Sequence, residues 1–312
     1  MLSHHNRCGD TAMISSGSTD PMEFGARAPG LFDRCVIGLT SHLPNNWLGL
    51  RLAIILRRLV TMRLRHPDGA LDVVRWGLQL RLHPRDNGCE KGLLFTPQMY
   101  ETLELAELAS EVDRIGGGNS ALVFLDIGAN VGLFSFFVAA RSGARARVLA
   151  IEPEKVNLER LLFNLRANPG LPIRVVPAAL GGETGRLEIE PDMRDRGGTL
   201  VRQGGSQIVE AKTLLQLLTE EAVESVDAIK IDVEGMEDVI LIPFFRDAPE
   251  TLWPRLILIE DAQPWWNCDL FALLGRKGYS MSSRSRQNVV LRRAAGVSRA
   301  MSGPQVDVSH HG

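Results

Sequence analysis

Histidine is missing from the middle of this 312-residue chain. Its seven histidines stand at positions 4, 5, 42, 66, 83, 310 and 311, with none between 84 and 309. A histidine base in the central region is therefore excluded unless His83 or a tail reaches back. Cysteine is scarce and scattered: Cys8, Cys35, Cys89 and Cys268 form no CxxC pair and no zinc-spaced cluster with histidine. Reduced thiols in a cytoplasmic protein are the expectation, and no metal site is predicted. No stretch reaches the roughly 18 apolar residues of a membrane-spanning helix. The first twenty residues also lack the continuous apolar run of a secretory signal. Neither charge sign dominates, with 35 basic and 37 acidic residues, so no nucleic-acid partner is expected. A composition of 45% hydrophobic and 23% charged residues excludes a wholly disordered chain.

What is present divides unevenly along the chain. Residues 1–93 carry a net charge of +4, and residues 94–312 carry −6. Residues 1–30 show no sustained period and are expected to be mobile, as is the tail 294–312 with His310 and His311. Residues 31–93 read as an N-terminal extension of helix and strand. Within it, 46–65 (NWLGLRLAIILRRLVTMRLR) has the spacing of an amphipathic helix. Leu48, Leu52, Ile55, Leu59 and Met62 line one face, and Arg51, Arg58 and Arg65 line another. Packing of the apolar face on the protein's own domain is the favoured expectation; peripheral membrane contact through 46–65 is the alternative. The run 71–84, punctuated by Gly77 and Pro84, reads as a bent or edge hairpin, and GLLFT (92–96) as a further short strand.

From about residue 94 to 293 the pattern changes to short apolar strands alternating with helices. Strands are predicted at 121–126, 147–152, 173–180, within 226–235, at 254–260 and at 288–293. Helices are predicted over 100–116, after the glycine-rich turn, over 153–168 and over 269–278. This is the signature of an α/β fold: a doubly wound, mostly parallel Rossmann-like sheet with helices on both faces. Such sheets bind ligands beyond the carboxyl ends of their strands. Four strands here end in carboxylates: Asp126, Glu152, Asp232 with Glu234, and Glu260. Residues 181–212 are loopier, with LEIE and SQIVEA suited to a short hairpin or insertion.

The strongest local signal is VFLDIGANVGLFS (123–135), where Gly128, Asn130 and Gly132 follow a strand and open a helix. Small residues let the backbone approach a ligand, and Asn tolerates an unusual turn conformation. Glu152 ends the next strand, where a sheet of this kind places an acceptor for ribose hydroxyls. The loop is not the dinucleotide fingerprint GxGxxG, because Asn130 stands at the second glycine. That glycine lets backbone approach a pyrophosphate, so a side chain there favours a cofactor without one, such as S-adenosylmethionine.

These motifs together resemble the FkbM-like family of class I S-adenosylmethionine-dependent methyltransferases. The matching stretches are MYETLEL (99–105), VFLDIGANVGLFS (123–135), VLAIEPEKVNLERLLFNLRAN (148–168), VVPAALGGETG (175–185), DAIKIDVEGMEDVIL (227–241) and LILIE (256–260). The resemblance implies a methyltransferase domain over 94–293 that binds S-adenosylmethionine. Asp126, Gly128, Asn130 and Gly132 would form the cofactor loop, Glu152 would bind the ribose, and Ala179 would join the cofactor side. Asp232, Glu234 and Gly235 would line the methyl-transfer side. One departure is Thr213-Leu214-Leu215, where the family often has Thr-Leu-Asp.

With no histidine at hand, the candidate catalytic groups are Asp232 and Glu234, with Glu260 next. Lys230 is expected to send its charge to the strand edge, and Glu237 is expected to face solvent. Trp265 and Trp266 could stack on a sugar or fold down as lid residues. The fourth strand lacks an Asn/Asp-Pro-Pro-aromatic loop, which disfavours an amine of DNA as acceptor. A hydroxyl on a sugar, glycan or secondary metabolite is the expected acceptor. The rival classes are an NAD-dependent oxidoreductase and a non-catalytic methyltransferase-like scaffold. No Tyr-x-x-x-Lys pattern supports the oxidoreductase, since Tyr100 and Tyr279 both lack it.

Overall fold

A computed structural model describes residues 23–64, 69–116, 121–192 and 195–294. Of the segments expected to be mobile, residues 1–22 and 295–312 lie outside the described residues, as does His66, whereas residues 23–30 are held in place, with Gly25 N and Arg27 N donating to Asp72 Oδ2 at 2.7 and 3.0 Å. In chain order the helices and strands are α1 (Leu31–Thr40), α2 (Trp47–Arg63), β1 (Leu71–Arg75), β2 (Leu78–Leu82), α3 (Gly88–Phe95), α4 (Thr102–Gly116) and β3 (Leu122–Ile127). Next come α5 (Leu133–Ser142), β4 (Ala146–Ile151), α6 (Lys155–Ala167), β5 (Ile173–Val176), β6 (Ala179–Leu180), β7 (Gly185–Pro191), β8 (Thr199–Val201) and β9 (Gln207–Lys212). The chain continues through α7 (Leu214–Glu220), β10 (Ala228–Ile231), α8 (Glu237–Asp247), β11 (Leu256–Glu260), α9 (Leu270–Arg276), β12 (Tyr279–Arg284) and β13 (Asn288–Arg293).

Seven strands form the main sheet in the order β12-β13-β11-β10-β3-β4-β5. The neighbours from β11 through β5 are parallel, whereas β13 runs antiparallel to both β11 and β12. Alternate residues of each strand enter different cores. Leu122 and Phe124 pack with α4, α5 and the N-terminal elements, while Leu125 and Ile127 pack with α7, α8 and α9. Burial on both faces explains why these strands read as continuous apolar runs. The fully buried Phe124, Phe136, Phe244 and Phe245 each contribute about 1.5–3 kcal/mol of transfer free energy. From β3 the chain proceeds to β4 and β5 on one side and to β10 and β11 on the other. The gap between β3 and β10 at their carboxyl ends is thus where a cleft is expected.

Residues 31–95 are built into the first of these cores through Val36, Ile37, Val60, Leu80, Leu82 and Phe95. The hairpin β1–β2 forms as expected and docks on α6, where Asn164 and Asn168 accept from Arg81 N (2.7 Å) and Gln79 N (2.9 Å). The strand expected at 92–96 is instead the end of α3. Asn87 caps that helix by accepting from Glu90 N, and Leu93, Leu94 and Phe95 are buried together. A second correction concerns the run 173–180, which is two strands. Pro177 lacks the N–H to continue the ladder, so β5 ends at Val176 and β6 pairs with β9 instead. The insertion is larger than a hairpin: β7 and β9 pair antiparallel, and β8 and β6 extend them to a four-stranded sheet.

Helix α2 differs most from expectation. It turns Gly49, Ala53 and Val60 inward, with Leu56 partly buried. The stripe expected to pack is left outside, with Leu48 and Ile55 at 59% exposure and Met62 at 79%. At its start Gly49 fits against the turn that leads into the helix. A Cβ on Gly49 would lie 2.1 Å from the carbonyl oxygen of Pro44.

Candidate active site

The loop after β3 is held by backbone conformations that few residues adopt. Gly128 has φ +71° and Gly132 φ +82°, and Asn130 between them sits at φ +54°. A Cβ on Gly128 would lie 1.9 Å from the carbonyl oxygen of Asp232, so β3 and β10 approach as closely as backbone permits. Gly132 opens α5, and a Cβ there would press on Leu161 at 3.0 Å. Asp126 stands behind the loop, fully buried. It accepts from the Ser135 amide (3.0 Å) and hydroxyl (2.6 Å) and so fastens the start of α5 to β3. Burial raises its pKa, and its other oxygen has no protein partner.

Glu152, just past β4, is buried and turns its carboxylate to the loop. One oxygen accepts from Asn130 N at 2.7 Å and the other from Glu154 N at 2.8 Å. Loss of solvent pushes its pKa up to about 8 despite these bonds. Gly128, Asn130, Glu152 and Ala179 line one cleft together with Ile127, Ile151, Leu180, Ile189 and Met236. Of the residues expected on the cofactor side, these four are on its surface. Asp126 and Gly132 are not, and serve the loop from behind. The cleft offers an apolar slab ending in a carboxylate acceptor. That donor set fits a nucleoside whose hydroxyls donate, and it fits an adenosine-bearing cofactor.

Asp232 and Glu234 line the same cleft and continue into a second cavity of about 430 Å³, bounded also by Glu101, Asp192, Asp195, Glu260 and Asn288. All three expected catalytic carboxylates thus face one space. Their environment is shared and repulsive. Burial, then the neighbouring Asp232, raises Glu234 to about 7 and Glu260 to about 8. Burial and Glu104 raise Glu101 to about 7. One Glu260 oxygen is buried without a protein partner. Cys89 also lines the cavity, but burial lifts its thiol to about 12, so it stays protonated at neutral pH.

Lys230 is not at the edge of its strand as expected. It is buried, with Nζ 3.0 Å from Asp232 Oδ2 and 3.3 Å from the Gly128 carbonyl oxygen to which it donates, over the face of Phe134. Burial opposes the charge, but the Asp232 and Asp126 carboxylates outweigh it and raise the pKa. A lysine within a continuous apolar strand was itself a signal, since a buried ammonium must be paired. Glu237 is a second correction. It is fully buried rather than solvent-facing, accepting from Trp266 Nε1 (2.7 Å) and Val233 N (3.0 Å), which fixes the turn after β10. The two tryptophans part company: Trp266 is core against Phe271, and Trp265 is 77% exposed.

Several site residues come from outside the strand ends. Asn87 donates to the Asn130 side-chain oxygen at 2.9 Å, and Gly88 N donates to Asp195 Oδ1 at 2.9 Å. Arg160 and Arg196 both pair with Asp86, at 2.7 and 3.3 Å. These contacts hold the segment after β7 over the loop, and Gly197 lines both cavities. Among the described residues no cluster of histidine, cysteine and carboxylates is arranged to hold a metal ion.

A glycine loop after the first strand of a mainly parallel sheet, a buried acid after the next, and carboxylates beyond β10 define a methyltransferase-like α/β domain. Residues 126–280 match the methyltransferase FkbM domain, so the chain carries an FkbM-like methyltransferase domain and is an enzyme of that class. It is similar to Methyltransferase sdnD of Sordaria araneosa, 28% identical over 195 residues that cover 51% of this chain and 73% of the relative. Looser likenesses exist among solved structures. A precorrin-6y C5,15-methyltransferase from Geobacter metallireducens GS-15 is 14% identical, with TM-score 0.38 over 65% of this chain and 92% of its own. An Agrobacterium tumefaciens SAM-dependent methyltransferase is 12% identical, with TM-score 0.41 over 72% and 69%. Likenesses that loose have no bearing on substrate.

Proposed function

We propose that the protein transfers a methyl group from S-adenosylmethionine to a hydroxyl of a polyhydroxylated acceptor, a sugar, glycan or secondary metabolite. We read the sheet as doubly wound, with the cofactor at the β3–β4 end and the acceptor in the carboxylate-lined cavity. The bound cofactor supplies an electrophilic methyl group. The observation that carries the reading is the meeting of the two cavities at Asp232 and Glu234. Glu152 would accept from the ribose hydroxyls, and the apolar cleft walls would cover the adenine. Asp232, held by Lys230, lies where the spaces join.

Glu234 and Glu260 have pKa values near 7 and 8, which suits a group that takes a hydroxyl proton near neutral pH. Several carboxylates around one acceptor space favour a donor-rich polyol and repel phosphates, so a nucleic-acid substrate is disfavoured. The oxidoreductase alternative is weakened because the Asn130 side chain, bonded to Asn87, occupies the position where a pyrophosphate needs glycine. The test is incubation with methyl-labelled S-adenosylmethionine and a panel of sugars, glycans and hydroxylated metabolites. Label on a hydroxyl oxygen is expected; label on nitrogen or carbon alone would overturn the acceptor class.

A further inference from the structure

Helix α2 presents an apolar stripe that the rest of the described protein does not cover. Leu48, Leu52, Ile55, Leu59 and Met62 are each at least 42% exposed, and Trp47 at the helix start is 71% exposed. Leu31 and Phe32 of α1 extend the apolar surface at 82% and 43%. Isolated exposed apolar residues need no explanation, but a contiguous face of this kind marks an interaction surface. Its charge narrows the choice of occupant. Residues 31–64 hold five arginines and a single acid, Asp33, although the whole chain is slightly acidic. Arg51 lies over the Trp47 ring and Arg63 over Phe32, so cationic heads border the apolar side chains.

We propose that α1 and α2 dock in the plane of an anionic lipid bilayer, with the α2 stripe in the acyl boundary and the arginines among the headgroups. An apolar stripe with a tryptophan and flanking arginines is the pattern of an interfacial helix. Anionic headgroups complement the net charge of this segment. A second copy of the same face would instead bring two basic surfaces together. Residues 1–22 and 295–312 have little large apolar side-chain surface to set against it. Residues 1–22 hold Leu2, Ile14 and three methionines and no aromatic residue, and 295–312 hold no leucine, isoleucine or aromatic residue. No helix among the described residues is long and apolar enough to cross a membrane, so the contact is peripheral.

The test is flotation of the full chain with vesicles of phosphatidylcholine and phosphatidylglycerol, against vesicles of phosphatidylcholine alone. Flotation with the mixed vesicles, weakened by salt, is expected. Arg51→Gln with Arg58→Gln should reduce partitioning about fivefold per arginine. A triple change, Leu52→Gln, Ile55→Gln and Leu59→Gln, should abolish it, and circular dichroism would verify that this exposed-site variant is folded. Bromolipid quenching of tryptophan emission, lost in Trp47→Phe, would place the helix at the acyl boundary. Absence of flotation, or equal flotation of the folded triple variant, would overturn the proposal. So would a dimer in vesicle-free sedimentation that the triple variant dissolves, since the face would then belong to a second copy.

Discussion

Replacing Glu152 by Gln keeps the shape of the side chain and removes its charge. In the protein both carboxylate oxygens accept backbone N–H groups, from Asn130 at 2.7 Å and Glu154 at 2.8 Å. Gln can satisfy one of these with its oxygen but meets the other with an N–H. A hydrogen bond to a charged group is worth about 1.5–3 kcal/mol, and a ribose hydroxyl that loses such an acceptor should bind correspondingly worse. At about 1.4 kcal/mol per tenfold, S-adenosylhomocysteine should bind Glu152→Gln about 10- to 150-fold more weakly at a pH above about 8, where the wild-type carboxylate is ionised. The pH dependence adds a second signature. Glu152 titrates near 8 in the cofactor-free protein, and its ionised form is the better acceptor. Wild-type affinity should therefore rise with pH through about 8 and flatten above it, and the Gln variant should lack that rise. Calorimetric titration across pH reads both effects. A folded variant with wild-type affinity and the same pH profile would refute the role.

Wild-type kcat should rise as pH passes through about 7 to 8, where Glu234 and Glu260 lose their protons, and Glu260→Gln should lower turnover and remove part of that rise; an unaltered profile would remove Glu260 from proton transfer. Lys230→Met should leave Asp126 and Asp232 without their cation. Breaking a fully buried pair costs about 3–5 kcal/mol, but Asp232 is 36% exposed, so solvent screening reduces the expected loss to about 1–2 kcal/mol. An unshifted denaturant midpoint would contradict that pairing. Gly128→Ala forces a Cβ against the Asp232 carbonyl oxygen at 1.9 Å and at positive φ. Neither backbone can yield cheaply, so a large drop in Tm or insoluble protein is expected. A Tm within a few degrees of wild type would show that the loop relaxes.

The central strands were legible because each is buried on both faces and ends in a carboxylate, as at Asp126, Glu152 and Glu260. The loop was legible because Gly128 and Gly132 answer backbone demands that few other residues meet. What escaped depends on partners distant in the chain. Leu93, Leu94 and Phe95 look like a strand, and only the Asn87 cap and the core above them make a helix. Lys230 and Glu237 resemble ordinary edge and surface charges until Asp232 and Trp266 are placed beside them. Asn87 and Asp195 reach the site through loops whose local sequence has no periodicity, and Glu101 stands directly ahead of α4, in a run whose pattern reads only as helix. For α2 the apolar face was identified, but its neighbour was not. Periodicity tells which residues share a face, and not which face meets the rest of the protein.

The central claim is that the cleft between Gly128 and Ala179 holds S-adenosylmethionine rather than a dinucleotide. Titration of the purified protein with S-adenosylhomocysteine and, separately, with NAD tests it most directly. Saturable binding of S-adenosylhomocysteine with no heat from NAD is the predicted result. Binding of NAD alone, or of neither ligand to folded protein, would contradict it.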